Sequence, residues 1–291
     1  MNLHIKLKYI FKFLPLVLIG LIFTSCQPEE LGEGNGLTAD NLDADFTISE
    51  ITDANNTYSL NAINSYISSS WDLGKGGGFS SGGNSAEVFF PDAGTYTVQH
   101  KVTGIGGVSS VSSQTVNVAT SDPIAGNIVK GGKFEDASAH SEWTILNISA
   151  SGANWTFNDG SATIVASGWN QQAIYQPIEV IANKTYTIDM IVSGDGNDET
   201  WFEVFASTVE PVQWNDYASN VVMGLNTWGG CGTGSFNGIL SSVGCVDSSY
   251  TSSKSNEVTF DTSGTIYLVI KCGGNQTSGI TISNVEMRGK I

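Results

Sequence analysis

Apolar residues recur at every second position in segment after segment of this chain. Ala44, Phe46 and Ile48 share one parity; so do Tyr186, Ile188, Met190 and Val192, then Phe202, Val204 and Ala206, then Ile266, Leu268 and Ile270. This is the period of a half-buried strand, and turns rich in Gly, Asn and Ser separate the segments. With 34 Gly and only 14% charged residues among 291, a coiled coil or a long helical array is excluded and an all-β chain is expected. The length allows two domains at roughly 150 residues each, and Ser121-Asp122-Pro123 supplies a break between them.

The start of the chain reads as an export signal over residues 1–25. His4, Lys6, Lys8 and Lys12 make it basic, and Phe13 to Phe23 is almost wholly apolar. That run is short of the ~20 residues a membrane span needs. It ends in Phe23-Thr24-Ser25-Cys26, which resembles the bacterial lipoprotein cleavage box, and the resemblance implies lipidation of Cys26 and anchoring without spanning. Gln27-Pro28-Glu29-Glu30 resembles the acidic export tag of Bacteroidota surface lipoproteins, implying display on the outer face of the outer membrane. From Cys26 to about residue 42 the chain is Gly, Glu, Asp and Asn with few apolar residues, a composition that cannot bury a core and that suits a tether.

With the three signal lysines gone, nine basic residues remain against 28 acidic ones. A polyanion meets repulsion over most of such a surface, so nucleic acid is excluded as a partner and an acidic polysaccharide is disfavoured.

Residues 43–120 are expected to form the first β domain. Trp71-Asp72-Leu73-Gly74-Lys75-Gly76 and Gly94-Thr95-Tyr96-Thr97-Val98 resemble the marker turn and strand of the polycystic-kidney-disease (PKD) domain, an immunoglobulin-like sandwich. The turn departs from the family at two of its six positions. The resemblance makes Trp71 and Tyr96 core and corner residues and the domain a spacer.

Residues 126–291 are expected to form a β-jelly-roll sandwich. Asn127-Ile128-Val129-Lys130-Gly131-Gly132-Lys133-Phe134-Glu135-Asp136 with Glu142-Trp143, and the closing Gly279-Ile280-Thr281-Ile282-Ser283-Asn284-Val285-Glu286-Met287, resemble the ends of carbohydrate-binding modules of the family 4/9 type. With the lipoprotein signal and the spacer, the chain resembles surface glycan-binding lipoproteins that serve outer-membrane glycan importers. The resemblance also implies a structural Ca²⁺ on Glu135, with Asn284 at the late position where the family carries an Asp.

A sugar docks its C–H face on an aromatic ring and its hydroxyls on amides and carboxylates. Five of the seven tryptophans lie between Trp155 and Trp228. In Glu199-Thr200-Trp201-Phe202-Glu203-Val204, parity with core-facing Phe202 and Val204 turns Trp201 and Glu203 outward. Trp214 and Tyr217 stand in a loop-like stretch after Pro211, Trp228 beside two glycines, and Trp169 beside Asn170, Gln171 and Gln172. Trp169, Gln171, Trp201, Glu203, Trp214, Tyr217 and Trp228 are therefore the candidate sugar contacts, while Trp143 and Trp155 fit the core.

Cys231 and Cys245 flank a Gly/Ser-rich loop whose closure by a disulfide would stabilise by roughly 3 kcal/mol. Cys272 shares parity with Ile266, Leu268 and Ile270 and should be a buried thiol. No Gly-x-Ser-x-Gly elbow or phosphate loop is present. Glu199 and Glu203 are four strand residues apart, ~13 Å, too far for a glycosidase pair at ~5–9.5 Å. The expected function is thus non-catalytic capture of a neutral β-glucan, laminarin (a β-1,3-glucan) above others. The alternatives are alginate or another acidic polysaccharide, a β-sandwich glycan-degrading enzyme, or an adhesive surface protein with no glycan.

Overall fold

The computed structural model describes residues 41–246 and 255–290. The signal segment, Cys26 and nearly all of the tether lie outside those residues. The described residues are almost entirely β, with seventeen strands and only short helical turns, and no helix among them is long and apolar enough to cross a membrane. Contacts gather into two compact units, one holding the residues up to Ser49 with Tyr58–Val88 and Tyr96–Val116, the other holding Glu50–Thr57, Phe89–Thr95 and everything from Asn117 onward.

The first unit is a two-sheet sandwich. Strands β1 (Phe46–Glu50), β2 (Thr57–Ala62) and β5 (Ser85–Phe89) form one sheet; β4 (Ser80–Gly82), β3 (Ser68–Asp72), β6 (Gly94–Thr103) and β7 (Ser109–Val118) form the other, in that order. Alternation drives the packing. Phe46 meets the edge of Trp71 across the two sheets at 5.2 Å, and Trp71 stacks on His100 at 4.0 Å. Trp71 and His100 are buried, and the His100 ring nitrogens are engaged with Ser69 Oγ and Ala44 O. Gly82 is needed here: a Cβ on it would lie 2.8 Å from the Trp71 ring.

The second unit is a curled sheet that folds over into a jelly-roll-like sandwich. Its pivot is β10 (Ser161–Val180), a 20-residue strand. The first part of β10 pairs with β9 (Ala153–Asn158) and β17 (Ile280–Gly289); the second part pairs with β8 (Thr144–Asn147) and β16 (Gly264–Thr277). Between them the register slips at Ser167–Asn170, where Gly168 and Trp169 both take positive φ, 62° and 64°. That corner carries the strand from one wall to the other. One wall continues through β16 to β12 (Asn197–Ser207) and β13 (Val221–Asn226); the other runs through β17 to β11 (Thr185–Gly194), which takes β14 (Phe236–Ile239) and β15 (Glu257–Thr259).

The core lies between the walls. Phe202, Val204, Ala206, Ile266, Leu268, Ile270 and Cys272 face Tyr186, Ile188, Met190, Val192, Ile280 and Ile282, with each large side chain contributing roughly 1.5–3 kcal/mol. Trp143 and Trp155 are buried in this core, Trp143 stacked on Phe134 at 5.6 Å. Cys272 is a free, buried thiol, and Cys231 is bonded to Cys245.

A second apolar cluster occupies part of the outer face of the β8–β10–β16–β12 wall. Leu146, Ala173, Phe205 and Val269 are covered there by Tyr217, which comes from the 208–220 loop. Side chains tie this loop down. Gln213 accepts from the Asn147 N–H and donates to Ile145 O, capping the open edge of β8, and Trp214 N–H donates to Asn147 O.

Candidate functional site

Three tryptophans meet where β10 turns its corner. The rings of Trp169, Trp201 and Trp228 lie 6.2–6.4 Å apart pairwise, with interplanar angles of 23–33°. Trp169 is 52% exposed and Trp228 50%, while Trp201 is half-buried beneath them. The offset, near-parallel arrangement is a favourable one for aromatic rings.

Each ring has a local reason for its place. Trp201 stands on β12 opposite Gly273 of β16 and opposite Asn226 of β13. A Cβ on Gly273 would lie 2.5 Å from Trp201 Cζ2 and 2.7 Å from Gln171 Cβ, so the indole and Gln171 close over a bare strand. Asn226, directly across from Trp201, accepts the N–H groups of Trp228 and Gly229 at 3.1 Å each and so caps the 3-10 turn Thr227–Gly229. The Thr227 hydroxyl accepts from the Thr200 N–H at 3.0 Å and donates to Thr200 O at 3.2 Å. The Cys231–Cys245 bond pins the chain just past this turn, and Cys245 is itself bridged to Gly224 of β13 by two backbone hydrogen bonds. Trp169 rides on the corner of β10 in a left-handed conformation that a bulky residue rarely adopts. Asn170 Nδ2, donating to Ser167 O at 2.8 Å, braces that corner.

The remaining candidates divide. Gln171 is beside Trp201, both lying over Gly273. Glu203 faces outward with Trp201, but its carboxylate pairs with Lys271 Nζ at 3.2 Å. Lys271 is almost fully buried and also meets Asp216 at 3.1 Å, Tyr217 O at 2.7 Å and the Phe205 ring at 5.1 Å. Glu203 is thus tied to a network that holds the 208–220 loop, and removing one partner of such a buried pair is costly. Trp214 is 62% exposed at φ 69°, yet no ring contact joins it to the three tryptophans among the described residues.

Tyr217 corrects the expectation of a sugar platform at that position. It is 4% exposed, its ring meets the edge of Phe205 at 5.3 Å and its hydroxyl donates to Val209 O at 2.8 Å. It is a packing residue, and burial holds its phenol above the ordinary range. Asn226 and Gly273 were missed as site-shaping residues; a Gly inside a strand marks a close approach, and that signal was available at Gly273.

The calcium expectation meets a thin donor set. The two stretches are neighbours, with Val285 N–H donating to Gly132 O at 2.8 Å. Glu135, however, is well exposed and 3.7 Å from Lys133, Asp136 caps the helix Ala137–Ser141, and Asn284 is exposed. Among the described residues no group of three His, Cys, Asp or Glu side chains gathers for a metal. Calcium takes roughly six to eight oxygens, more than these side chains bring together, and no role is assigned to the ion.

No family model and no curated protein matches the chain. Among solved structures, it is similar to carbohydrate-binding modules of the β-sandwich superfamily (16% identity, 84% of this chain and 96% of that one, TM-score 0.33). It is also similar to a CBM4 module (18% identity, 56% and 99%, TM-score 0.35). A third likeness is to the enzymatically active domain of bacteriophage CBA120 tailspike protein 4 (14% identity, 56% and 21%, TM-score 0.38). All three TM-scores are low, and what the site can do rests on its own geometry.

Proposed function

We propose that the chain is a non-catalytic glycan-binding lipoprotein, anchored through Cys26 at the outer face of the outer membrane. It captures a neutral β-glucan, laminarin first among candidates, for an outer-membrane importer. The observation that carries the binding part is the meeting of Trp169, Trp201 and Trp228 within 6.2–6.4 Å of one another on an outward wall. Two exposed indoles over a half-buried third are an unfavourable solvent surface and a good platform for the C–H faces of sugar rings. Gln171 beside them supplies an amide for hydroxyls.

A neutral ligand is favoured by charge. Acidic residues outnumber basic ones across the chain, and Lys271, on the same wall, is already paired with Glu203 and Asp216. Catalysis is disfavoured because the two carboxylates nearest the tryptophans along β12 are engaged: Glu203 with Lys271, and Glu199 as acceptor from Asn275 Nδ2 at 2.7 Å.

The test is native affinity electrophoresis against laminarin, mixed-linkage glucan, xylan, mannan and alginate, with reducing-end release assayed in parallel. Retardation by a neutral glucan, no released ends, and loss of retardation in a Trp169→Ala, Trp201→Ala, Trp228→Ala triple variant are expected. Undiminished binding in the triple variant would sink the site.

A further inference from the structure

Two carboxylates flank Trp201 along β12, and only one of them is neutralised. Glu203 is paired with Lys271. Glu199, on the other side, is bonded to an amide, Asn275 Nδ2 at 2.7 Å, and among the described residues no lysine or arginine pairs with it. The register sets this pair beside the tryptophans. Asp198 pairs with Gln276 and Thr200 with Gly274, so Glu199 stands opposite Asn275. From the other side Ser167 pairs with Gln276 and Asn170 with Gly274, so the bulge puts Gly168 and Trp169 together opposite the same Asn275. The next row along holds Trp201, Gly273 and Gln171.

Both rows face the same way. A Cβ on Gly273 would point into Trp201 and Gln171, and Asn275, two residues further along the strand, shares that face. Asn275 is exposed, and the ring of Trp169 reaches from the Asn275 row to 6.4 Å from Trp201. Trp169 at φ 64° and Glu199 at φ 43° both hold left-handed conformations, strain of a kind that gathers where the placing of a side chain matters. The pair also has bonding capacity to spare. A carboxylate offers about four acceptor positions, of which Asn275 takes one, and the amide keeps a second hydrogen and its carbonyl oxygen. Neighbouring hydroxyls on a sugar ring match that pattern, one donating to Glu199 while the next accepts from Asn275. An acidic group on the sugar meets an uncompensated like charge instead. Two strand residues, roughly 7 Å, separate Glu199 from Trp201, inside the screening length of about 10 Å at 0.1 M salt.

We propose that Glu199 and Asn275 are the specificity-determining pair of the tryptophan platform, reading adjacent hydroxyls of a neutral sugar and turning acidic glycans away, an inference that rests on the platform reading above. Selectivity for a neutral ligand then lies in one carboxylate at the platform and not only in the acidity of the whole chain.

The experiment titrates the full chain, in a sugar-free detergent, calorimetrically with an oligosaccharide of the neutral panel glycan that retards it. A second titration uses an acidic counterpart on the same backbone, oxidised to the uronate at its primary hydroxyls or, for xylan, bearing glucuronate. Glu199→Gln removes the charge and keeps an acceptor for Asn275, while Asn275→Ala removes the amide, and a thermal melt of each shows that it folds. Each should weaken the neutral oligosaccharide about three- to tenfold. Glu199→Gln alone should also improve the acidic ligand relative to the neutral one about tenfold at low salt, a gain that fades at about 1 M salt and that a merely structural role would not produce. Unchanged neutral affinity in both variants, or an unmoved acidic-to-neutral ratio in Glu199→Gln, overturns the pair and leaves the platform standing, as does retardation of the wild type by alginate alone. Failure of every panel glycan to retard the wild type overturns both.

Discussion

Gly273 stands directly across from Trp201 on the neighbouring strand, and the indole lies over it so closely that a Cβ there would fall 2.5 Å from Cζ2. The glycine thereby sets the tilt of the half-buried ring that the other two tryptophans stack beside. Its φ lies outside the left-handed region, so the cost of an alanine falls on packing: the indole must move, and the Gln171 Cβ, 2.7 Å away, moves only if the β10 backbone shifts with it.

Gly273→Ala should therefore lower glycan affinity about tenfold and also cost about 1–3 kcal/mol of stability through overpacking. Titration of tryptophan fluorescence, set beside a thermal melt, separates the two effects. Wild-type affinity in this variant would mean that the tilt of Trp201 is unimportant to the ligand.

Trp169 carries backbone strain that a smaller residue would shed. A bulky side chain at φ 64° costs on the order of 1 kcal/mol, which offsets the stacking on Trp201 and Trp228 that Trp169→Gly removes, so stability in urea should change little while about 2 kcal/mol of binding is lost, as expected of a hot-spot ring. Trp214→Gly, at φ 69°, removes no stacked ring and should raise stability by about 1 kcal/mol with little loss of affinity, since Trp214 stands apart from the three stacked rings. Equal losses of binding for both would extend the platform to Trp214.

Much of this was legible in alternation. The parity of Phe202, Val204 and Ala206 with Ile266, Leu268 and Ile270 names the core, and the same parity sends Trp201 outward. Parity does not say whether an outward face is wet. Phe205 and Val269 share the outward parity of Trp201 and Lys271, and they are dry because the 208–220 loop returns over them with Tyr217. Two apolar residues and a lysine on one outward stripe were the available hint that something covers it. The meeting of Trp169 with Trp201 was not legible, because it depends on a bulge that turns β10 from one wall to the other and on pairing across some hundred residues of chain. Asn226 escaped for a similar reason: its role is to cap a turn, and it becomes a site residue only once β13 lies beside β12.

The Cys231–Cys245 bond closes a loop with a sequence separation of 14 directly after the turn that carries Trp228. Replacing both cysteines with serine should cost roughly 3 kcal/mol by the loop-entropy model, read from urea unfolding. Because Asn226 still caps the turn, affinity should fall less than for Trp228→Ala. A loss of binding as large as that of Trp228→Ala would show that the disulfide, and not the cap, holds the ring.

Alkaline pH should loosen the molecule in two stages. Burial pushes the Cys272 thiol well above its ordinary range, helped by the Glu203 carboxylate and opposed by Lys271, and burial likewise raises the Tyr217 phenol against the lowering effect of Ser207. A group whose folded value is raised holds its proton more tightly when folded. Its contribution is full below the unfolded value and is lost as pH climbs towards the folded one. Unfolded cysteine and tyrosine ionise near about 8.5 and 10, so unfolding free energy should be flat to about pH 8, decline first through Cys272 and then more steeply above pH 10. Cys272→Ala should remove the first decline at a fixed cost in packing, and Tyr217→Phe should remove part of the second while losing the bond to Val209 O. Native Cys272 should also resist alkylation until urea exposes it. Identical pH profiles in wild type and both variants would show that neither buried group is linked to folding.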